Sequence, residues 1–461
     1  MSNAKPTLPK GTRDFGPTEM ARRQYLLDTI RGVFRRYGFL PLETPSLENL
    51  KVLTGKYGDE GDRLIFKVLN SGDFLKKAPA DTRDDAGKLL PYVAEKALRY
   101  DLTVPFARYV VMNHHALTFP FKRYQMQPVW RADRPQRGRY REFYQCDADV
   151  VGTTSLLCEA EIVGMIREVM QRLRLPYVLK CNHRGVLAGL AARVGQPGRE
   201  GDLCVAIDKL DKIGREGVRG ELSARGFTEG NIAALDPIFD LRGDTATRTA
   251  HLRDYLADAP AAQRGLDDFD SLLTYLDQLG TATEGLEFDA TLARGLSYYT
   301  GLIFELRVEG VRMGSVGGGG RYDDLTGVFG LKDMSGVGFS FGIDRLYDVL
   351  LELDLFPTDA VASTQVLIAN FGTEPQAHAL ALLSALRAAD VAAEYFPDDV
   401  KLKKQMAYAN ARQIPHVVLI GPEELAQRAY ALKDMASGAQ QTLTRGALID
   451  AVVTATRNGS A

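Results

Sequence analysis

Two strand-like stretches joined by a polar loop are the feature of this sequence that most constrains its fold. Residues 121–130 and 140–151 are rich in aromatic and β-branched residues, and the turn-prone run 133–138 separates them. This pattern predicts an antiparallel hairpin with a long loop. Because side chains on a strand alternate between faces, one face of the second strand is predicted to be apolar and the other polar. The polar face would carry Arg141, Phe143, Gln145, Asp147 and Asp149.

The same hairpin is strongly basic within a chain that is close to neutral. Residues 121–145 hold seven Lys and Arg against two Asp and Glu, whereas the whole chain has 57 Lys plus Arg and 59 Asp plus Glu, a net charge of -2. The overall balance excludes a globally basic nucleic-acid coat and a cationic membrane binder. A charged run is usually a solvated face. Here the arginines share a hairpin with an aromatic ring, an amide and carboxylates, which favours a site for a phosphate-bearing ligand.

The remaining sequence divides into regions of different pattern. Residues 18–37 have the apolar spacing of an amphipathic helix, and strand-like stretches recur at 302–308, 313–316 and 337–341. A helical, Ala-rich stretch precedes these strands, and short strands alternate with helices after them. We therefore predict four segments: a core whose two parts are 1–184 and 280–355, a helical insertion at 185–279, and a small α/β domain at 364–461.

Cysteine spacing and hydropathy exclude several classes of protein. The four cysteines show no C-x-x-C spacing, so the sequence predicts neither a common zinc site nor a disulfide framework. The N-terminal residues lack the apolar stretch of a signal peptide, and no window approaches the roughly 18 apolar residues of a membrane span. We therefore expect a cytoplasmic protein without a membrane partner.

A second cluster of chemically informative residues lies at 293–301 and in the glycine-rich run 314–323. No Gly-Lys-Ser/Thr follows the glycines, which excludes a P-loop, and residues 336–342 lack the G-x-G-x-x-G spacing of a dinucleotide fold. What remains is a strand of low side-chain bulk that leads into a helix carrying Arg345. That arginine could reach a nucleotide lying on the sheet.

Together these clusters resemble the signature motifs of class II aminoacyl-tRNA synthetases. Residues 41–45 resemble motif 1, 121–152 resemble motif 2, and 336–346 resemble motif 3. Arg294-Gly295-Leu296 with Tyr298-Tyr299 resembles the signature of the histidyl-tRNA synthetase family. Two positions depart from the usual pattern: Asp133 stands where Glu is common, and Ser297 where Asp is common. Residues 70–96 are longer than in compact bacterial members and have no assigned role.

The resemblance implies the fold and the organisation of the chain. It implies an α+β catalytic core with a six-stranded antiparallel sheet, a helical insertion, and a C-terminal α/β domain that binds the anticodon. The motif 1 strand would lie at the interface of a homodimer.

The resemblance also implies three groups of site residues. Arg131 and Arg345 would hold the ATP phosphates, Phe143 would stack on adenine, and Arg294 would lie beside the α-phosphate, with Arg294 and Arg131 as catalytic residues. The histidine site would be lined by Asp101, Thr103, Gln145, Asp149, Tyr298 and Tyr299, and the tRNA acceptor end would meet Arg134, Gln136 and Arg139. Asp149 would accept an imidazole N–H; the alternative is that it pairs with a nearby arginine. No protein side chain is assigned as a metal ligand.

The implied activity is ATP-dependent attachment of L-histidine to tRNA(His) through a histidyl-adenylate, with Mg²⁺ bridging the outer phosphates. One alternative is a non-catalytic, synthetase-like regulatory subunit of ATP phosphoribosyltransferase. That subunit lacks the C-terminal domain, so the last hundred residues argue against it. A second alternative, an RNA-binding module without chemistry, leaves Arg131, Arg294 and Arg345 unexplained. Histidine-dependent exchange of pyrophosphate into ATP would distinguish all three.

Overall fold

The structure is a computed structural model that describes residues 5–207, 209–293, 298–357 and 364–459. It separates into two compact units, one formed by residues 1–14 with 23–355 and the other by residues 15–22 with 356–461. Within the described residues, no helix has the length and apolar character that crossing a membrane requires.

The strands and helices follow one another along the chain with short connections. The strands are β1 Leu40–Pro41, β2 Leu47–Asn49, β3 Lys67–Val68, β4 Lys96–Leu98, β5 Phe121–Trp130, β6 Glu142–Val151, β7 Tyr177–His183, β8 Leu286–Phe288, β9 Leu302–Val308, β10 Gly317–Tyr322, β11 Gly336–Gly342, β12 Val366–Ile368, β13 Ala393–Tyr395, β14 His416–Leu419, β15 Tyr430–Asp434 and β16 Gln440–Leu443. The helices are α1 Pro17–Arg36, α2 Leu50–Leu53, α3 Gly58–Arg63, α4 Ala86–Val93, α5 Thr103–Asn113, α6 Leu157–Arg172, α7 Arg184–Arg193, α8 Glu200–Ile207, α9 Leu210–Ala224, α10 Glu229–Ala233, α11 Asp236–Phe239, α12 Thr245–Tyr255, α13 Pro260–Gln278, α14 Ile343–Glu352, α15 Thr373–Ala388, α16 Leu402–Ala411, α17 Pro422–Gln427 and α18 Arg445–Gly459.

The first unit is built on one large sheet with the strand order β1-β5-β6-β11-β10-β9-β7-β8. The six inner strands pair antiparallel, and the short strands β1 and β8 add a parallel pairing at each edge. The predicted six-stranded antiparallel sheet is confirmed, with these two edge strands as an addition. The predicted hairpin is β5 and β6, whose register pairs Phe121 with Val151 and Trp130 with Glu142.

The glycine run forms a strand where the sequence did not predict one. The prediction placed a strand at 313–316, whereas β10 begins at Gly317 and contains four consecutive glycines. The reason is the close approach of β10 to β11: a Cβ atom on Gly319 would lie only 2.0 Å from the carbonyl oxygen of Gly338. Glycine is required there because no side chain fits between the strands.

The apolar face of the sheet is covered by helix α1. Its buried residues Ile30 and Phe34 are fully enclosed, and the Phe34 ring lies 5.6 Å from the ring of Tyr124 on β5 and 6.2 Å from that of Phe341 on β11. Burial of such side chains stabilises a fold by about 1.5–3 kcal/mol each. The opposite face of β6 is therefore free to carry polar groups.

Two smaller features complete the first unit. Strands β2, β4 and β3 form a three-stranded sheet, and the segment before β4 contains the helix α4, whose N-terminus is capped by the Asp85 carboxylate. Between β7 and β8 the described residues form the helices α7 to α13 and no strand. This stretch coincides with the region for which an insertion was predicted, although the four segment boundaries stay predictions.

The second unit contains a separate five-stranded sheet with the order β13-β12-β14-β15-β16. The pairs formed by β12 with β13 and β14 are parallel, and β15 and β16 continue the sheet antiparallel. Leu382 and Leu386 of α15 and Leu448 and Val452 of α18 are buried in its core. The predicted alternation of strands and helices is confirmed.

Candidate functional site

A cavity of about 930 Å³ opens over the polar face of β6 in the first unit. Strands β10 and β11, the start of α5 and the end of the β5–β6 loop form its other walls. Most of the predicted site residues line it: Asp101, Thr103, Arg131, Arg139, Phe143, Gln145, Asp149, Tyr298, Tyr299 and Arg345. Arg134 and Gln136 do not line the cavity, and Arg294 lies outside the described residues.

One end of the cavity combines arginines with aromatic rings. The Arg131 guanidinium lies 4.3 Å from the ring centre of Tyr100 and 5.2 Å from that of Phe143, and its Nε donates to the Tyr100 carbonyl oxygen at 3.1 Å. Arg345 donates through Nε to the Gly138 carbonyl oxygen at 2.7 Å and through Nη1 to that of Ser315. These backbone contacts fix both guanidinium groups before a ligand arrives.

Electrostatics at this end favour an anion. Burial lowers the pKa of Arg345, and the neighbouring charges of Arg139 and Arg131 lower it further. Three cations held this close repel one another, so a bound polyanion would be stabilised by all of them. The half-buried ring of Phe143 beside fixed guanidinium groups suits a nucleotide.

The other end of the cavity is acidic and rich in tyrosine. The Asp101 carboxylate is buried and accepts hydrogen bonds from the Tyr57 hydroxyl at 2.8 Å, the Val104 backbone N–H at 3.1 Å and the Tyr298 hydroxyl at 3.3 Å. Burial raises the pKa of Asp101, and the three hydrogen bonds and the charge of Arg131 act against that rise. A buried carboxylate with this support can hold a cationic group.

Gln145 and Asp149 project from β6 toward this acidic end. The Gln145 Nε2 donates to the Ser340 hydroxyl at 2.7 Å, and its Oε1 is buried without a hydrogen bond to any described residue. Asp149 accepts a hydrogen bond from the Tyr322 hydroxyl at 2.7 Å and forms an ion pair of 2.8 Å with Arg123, whose side chain is fully buried. The alternative considered above, in which Asp149 pairs with an arginine, is therefore observed, and Asp149 lines the cavity at the same time.

A glycine on the neighbouring strand makes room for Asp149. Gly338 lies opposite Asp149 in the β6–β11 register, and a Cβ atom there would come within 2.0 Å of the Asp149 Oδ1. Any larger residue would push the carboxylate out of its place between Tyr322 and Arg123. The absence of a side chain at Gly338 on β11 therefore leaves room for the Asp149 carboxylate.

Sequence reasoning missed several residues of the cavity. Tyr57 and Tyr322 were not selected, although they supply hydroxyl groups to Asp101 and Asp149. Asp147 was placed on the polar face without a role. Helices α7 and α8 also contribute lining residues: Arg184, Asp202, Cys204 and Val205. The alternation of β6 could have drawn attention to Asp147, whereas no local signal marks Tyr57 or the helices.

Comparison with known proteins places the chain in a family. The family model described as "Histidyl-tRNA synthetase" matches residues 11–346, and that described as "Anticodon binding domain" matches residues 365–455. The chain is 56% identical over 442 residues to the Histidine--tRNA ligase of Cytophaga hutchinsonii, covering 95% of this chain and 98% of the relative. It is 51% identical over 451 residues to that of Bacteroides fragilis strain YCH46, covering 97% and 99%.

Solved structures agree in fold. The histidyl-tRNA synthetase from Nostoc sp. PCC 7120 superposes with a TM-score of 0.82 at 31% identity and covers 98% of this chain and 99% of its own. A Bacillus halodurans structure described as an ATP phosphoribosyltransferase regulatory subunit/histidyl-tRNA synthetase reaches a TM-score of 0.69 at 22% identity, covering 88% and 97%. That identity shows a common fold and does not favour the regulatory alternative. The predicted family is confirmed: the chain belongs to the histidyl-tRNA synthetases.

Proposed function

We propose that the chain attaches L-histidine to tRNA(His) in an ATP-dependent reaction that passes through a histidyl-adenylate. The observation that supports it is one cavity in which an arginine-rich aromatic end and an acidic, tyrosine-rich end meet along strand β6. A nucleoside triphosphate needs the first environment, and an amino acid with a cationic amino group needs the second. Their arrangement on one strand brings the two substrates side by side.

In this proposal the arginine-rich end binds ATP. Phe143 stacks on adenine, and Arg131 and Arg345 hold phosphate oxygens. The fixed positions of both guanidinium groups support this role. Arg294, proposed beside the α-phosphate, rests on the sequence signature because it lies outside the described residues.

The acidic end binds histidine. Asp101, Thr103 and Gln145 receive its amino group, and Asp149, Tyr298 and Tyr299 surround its ring. The free Gln145 Oε1 supports the first part, since a buried acceptor without a partner is suited to a ligand N–H. Tyr299 supports the second, because its buried ring lines this end of the cavity and excludes water from it.

Catalysis in this site requires no protein nucleophile. The carboxylate of histidine attacks the α-phosphate in line, so the protein contributes positioning and neutralisation of the charge that develops there. Among the described residues, no group of three or more His, Cys, Asp or Glu side chains could hold a metal ion. Mg²⁺ is usually bound through one or two carboxylates together with substrate phosphates, and we propose that it enters this site bound to the phosphates of ATP.

The proposed contacts with tRNA lie on two parts of the chain. Arg134, Gln136 and Arg139 are exposed in the loop between β5 and β6, where a large partner can reach them. The C-terminal unit would read the anticodon, as its matching family model suggests. We propose that the catalytic core consists of residues 1–184 and 280–355, that residues 185–279 form the helical insertion and that residues 364–461 form the anticodon-binding domain. We also propose that the enzyme is cytoplasmic.

The test of this function is histidine-dependent exchange of labelled pyrophosphate into ATP by the full chain. Exchange is expected with histidine and with none of the other standard amino acids. Exchange stimulated equally by several amino acids would contradict the histidine site. A complete lack of exchange would instead favour the alternative, a non-catalytic regulatory subunit.

A homodimer is expected because the strand that resembles motif 1 lies at an open edge of the large sheet. Strand β1 pairs only with β5 among the described residues, and the Leu40 side chain on it is 58% exposed. A partner chain that covers this edge would remove the exposed Leu40 side chain from water. Light scattering should give about twice the chain mass of 50.7 kDa. A monomer at micromolar concentration that still catalyses exchange would contradict this interface.

A further inference from the structure

The segment that precedes helix α1 packs against the loop between β5 and β6, residues 131–141. Residues 9–14 contain a turn in which the Thr12 backbone N–H and hydroxyl donate to the Pro9 carbonyl oxygen, at 3.2 and 2.8 Å. The backbone N–H of Arg141, at the end of the loop, donates to the Gly11 carbonyl oxygen at 2.8 Å. None of the residues 9–14 lines the cavity, so this segment meets the loop from outside the site.

Gly11 allows the segment and the loop to approach closely. Its φ is +88°, in the left-handed region that favours glycine. A Cβ atom there would lie 2.8 Å from the Arg141 Cγ and 2.9 Å from the Pro135 Cγ. A larger residue at this position would therefore strain the backbone and push the segment away from the loop.

Arg13 connects the loop with helix α14 through the ring of Tyr140. The Arg13 guanidinium carbon lies 3.4 Å from the centre of this ring, and its Nη2 forms an ion pair with the Asp344 carboxylate. The Tyr140 hydroxyl donates to the Asp348 carboxylate at 2.8 Å. Burial and this hydrogen bond raise the pKa of Tyr140 to about 12, so the hydroxyl stays a donor at neutral pH. The ring is therefore held on its face by Arg13 and at its hydroxyl by α14.

The arginine-rich end of the cavity has supports that do not involve Arg13. The Asp344 carboxylate also accepts from the Arg23 Nη1 and from the Tyr144 backbone N–H, each at 2.8 Å. It therefore keeps a counter-charge when Arg13 is removed. The Arg131 guanidinium is fixed separately, by a carbonyl oxygen of the segment before α5.

The part of the loop that Tyr140 anchors carries residues proposed to meet tRNA. The Gln136 N–H donates to the Arg139 carbonyl oxygen at 3.1 Å, and the Arg139 N–H donates to that of Gln136 at 2.9 Å. The Arg139 side chain is 48% exposed. Because Tyr140 directly follows Arg139, fixing its ring also fixes the direction of this turn. Loss of the anchor should affect a large ligand at the loop more than a small one in the cavity.

We propose that Arg13 is a positioning residue that acts through Tyr140 to hold the β5–β6 loop in the conformation that receives the acceptor end of tRNA. The inference rests on the proposed function and deepens it, because it gives residues 9–14 a role in the transfer of histidine to tRNA rather than in adenylate formation. A loop that is already held in place loses less conformational freedom when tRNA binds, and this strengthens binding.

The test measures both half-reactions with the full chain carrying Arg13→Ala. The KM for tRNA(His) in charging should rise about 5- to 30-fold, the effect of losing one partly desolvated contact between a cation and an aromatic ring. The KM values for ATP and histidine in pyrophosphate exchange should stay within about threefold of wild type, because Asp344 retains Arg23. Fluorescence of Trp130 during unfolding establishes that each variant is folded.

The matched control is Lys10→Ala. Lys10 is an exposed cation in the same segment, and it meets Arg141 through its backbone carbonyl oxygen. Its removal should leave the KM for tRNA near that of wild type. An increase as large as that of Arg13→Ala would indicate a general attraction between tRNA and positive charge, and would overturn the inference.

A double-mutant cycle separates positioning through Tyr140 from direct contact of Arg13 with tRNA. Tyr140→Leu should raise the KM for tRNA by a similar factor. Adding Arg13→Ala to it should raise the KM little further, because both changes remove the same anchor. Effects that multiply would show that Arg13 acts independently of the ring, which contradicts the proposed role.

The outcomes separate this inference from the proposed function. Charging of tRNA(His) by wild type supports the function by itself, and its absence contradicts the function. If wild type charges tRNA and Arg13→Ala keeps the wild-type KM for tRNA, Arg13 does not position the loop. Equal increases in the KM values for ATP, histidine and tRNA would show a purely structural contribution and also overturn the inference. Should Arg13→Ala fail to fold, Gly11→Ala decides: a selective rise in the KM for tRNA supports the inference, and an unchanged KM overturns it.

Discussion

Replacing Arg131 with alanine is expected to lower the rate of histidine-dependent pyrophosphate exchange about a hundredfold to a thousandfold, the usual effect of removing one preorganised group that stabilises developing charge. The Arg131 guanidinium is fixed by the Tyr100 carbonyl oxygen and packed over the Tyr100 ring. It therefore needs no reorganisation when negative charge develops on the phosphates. Single-turnover measurement of adenylate formation, with ATP and histidine varied separately, gives the size of the effect on each step.

The matched control is Arg137→Ala. Arg137 lies in the same loop, but its side chain is 59% exposed, forms a surface ion pair with Glu352 and does not line the cavity. Its removal should leave exchange within a few-fold of wild type. Arg131→Lys should fall between the two, because lysine keeps the charge but loses the planar arrangement of donors. Near-normal adenylate formation by Arg131→Ala would remove this residue from the phosphate site.

Replacing Arg321 with methionine is expected to destabilise the first unit by about 3–5 kcal/mol, because it leaves a buried carboxylate without its counter-charge. The Arg321 Nε and Nη2 bind the two oxygens of Glu159 at 2.5 and 2.6 Å, and Nη1 donates to the Ser335 hydroxyl at 2.6 Å. Glu159 is fully buried on α6. The pair therefore ties β10 to the helix packed against the sheet.

Denaturant unfolding can be followed through the one tryptophan of the chain, Trp130, which lies on β5 in the first unit. The matched variant is Arg321→Met combined with Glu159→Leu, which removes both charges and fills the space with apolar groups. A large part of the lost stability should return in the double variant, as has been found when buried ion pairs are replaced as a unit. Equal destabilisation of the single and double variants would show that the charge is not the cause.

The polar face of β6 could be predicted from sequence because strand alternation depends only on neighbouring residues. The register of the hairpin could not. A hairpin centred on the predicted turn 133–138 would differ by one residue from the observed register, which pairs Arg123 with Asp149. A shift of one residue moves every side chain to the other face, so the local pattern leaves the ion pair of Asp149 as one of two alternatives.

Contacts between distant segments were also beyond sequence reasoning. Glu159 and Arg321 are 162 residues apart, and Tyr57 meets Asp101 across 44 residues. The strand at 317–322 was misplaced because glycines carry no side-chain pattern from which to infer a face. For the C-terminal unit, residues 365–461 contain nine Lys and Arg and nine Asp and Glu, so charge alone gives no indication of an RNA partner.

The order of strands in the large sheet affects how the chain folds while the ribosome is still synthesising it. Strand β6 ends at Val151, and the strand that completes its other edge, β11, begins at Gly336. At about 5–20 residues per second, the intervening chain takes roughly 10–40 s to synthesise. Throughout that time the emerging hairpin presents an open edge, the kind of surface that promotes aggregation. The charged and polar face that later holds substrates would meanwhile keep the unfinished chain hydrated, so the same side chains that make the site would protect the nascent protein before the site exists.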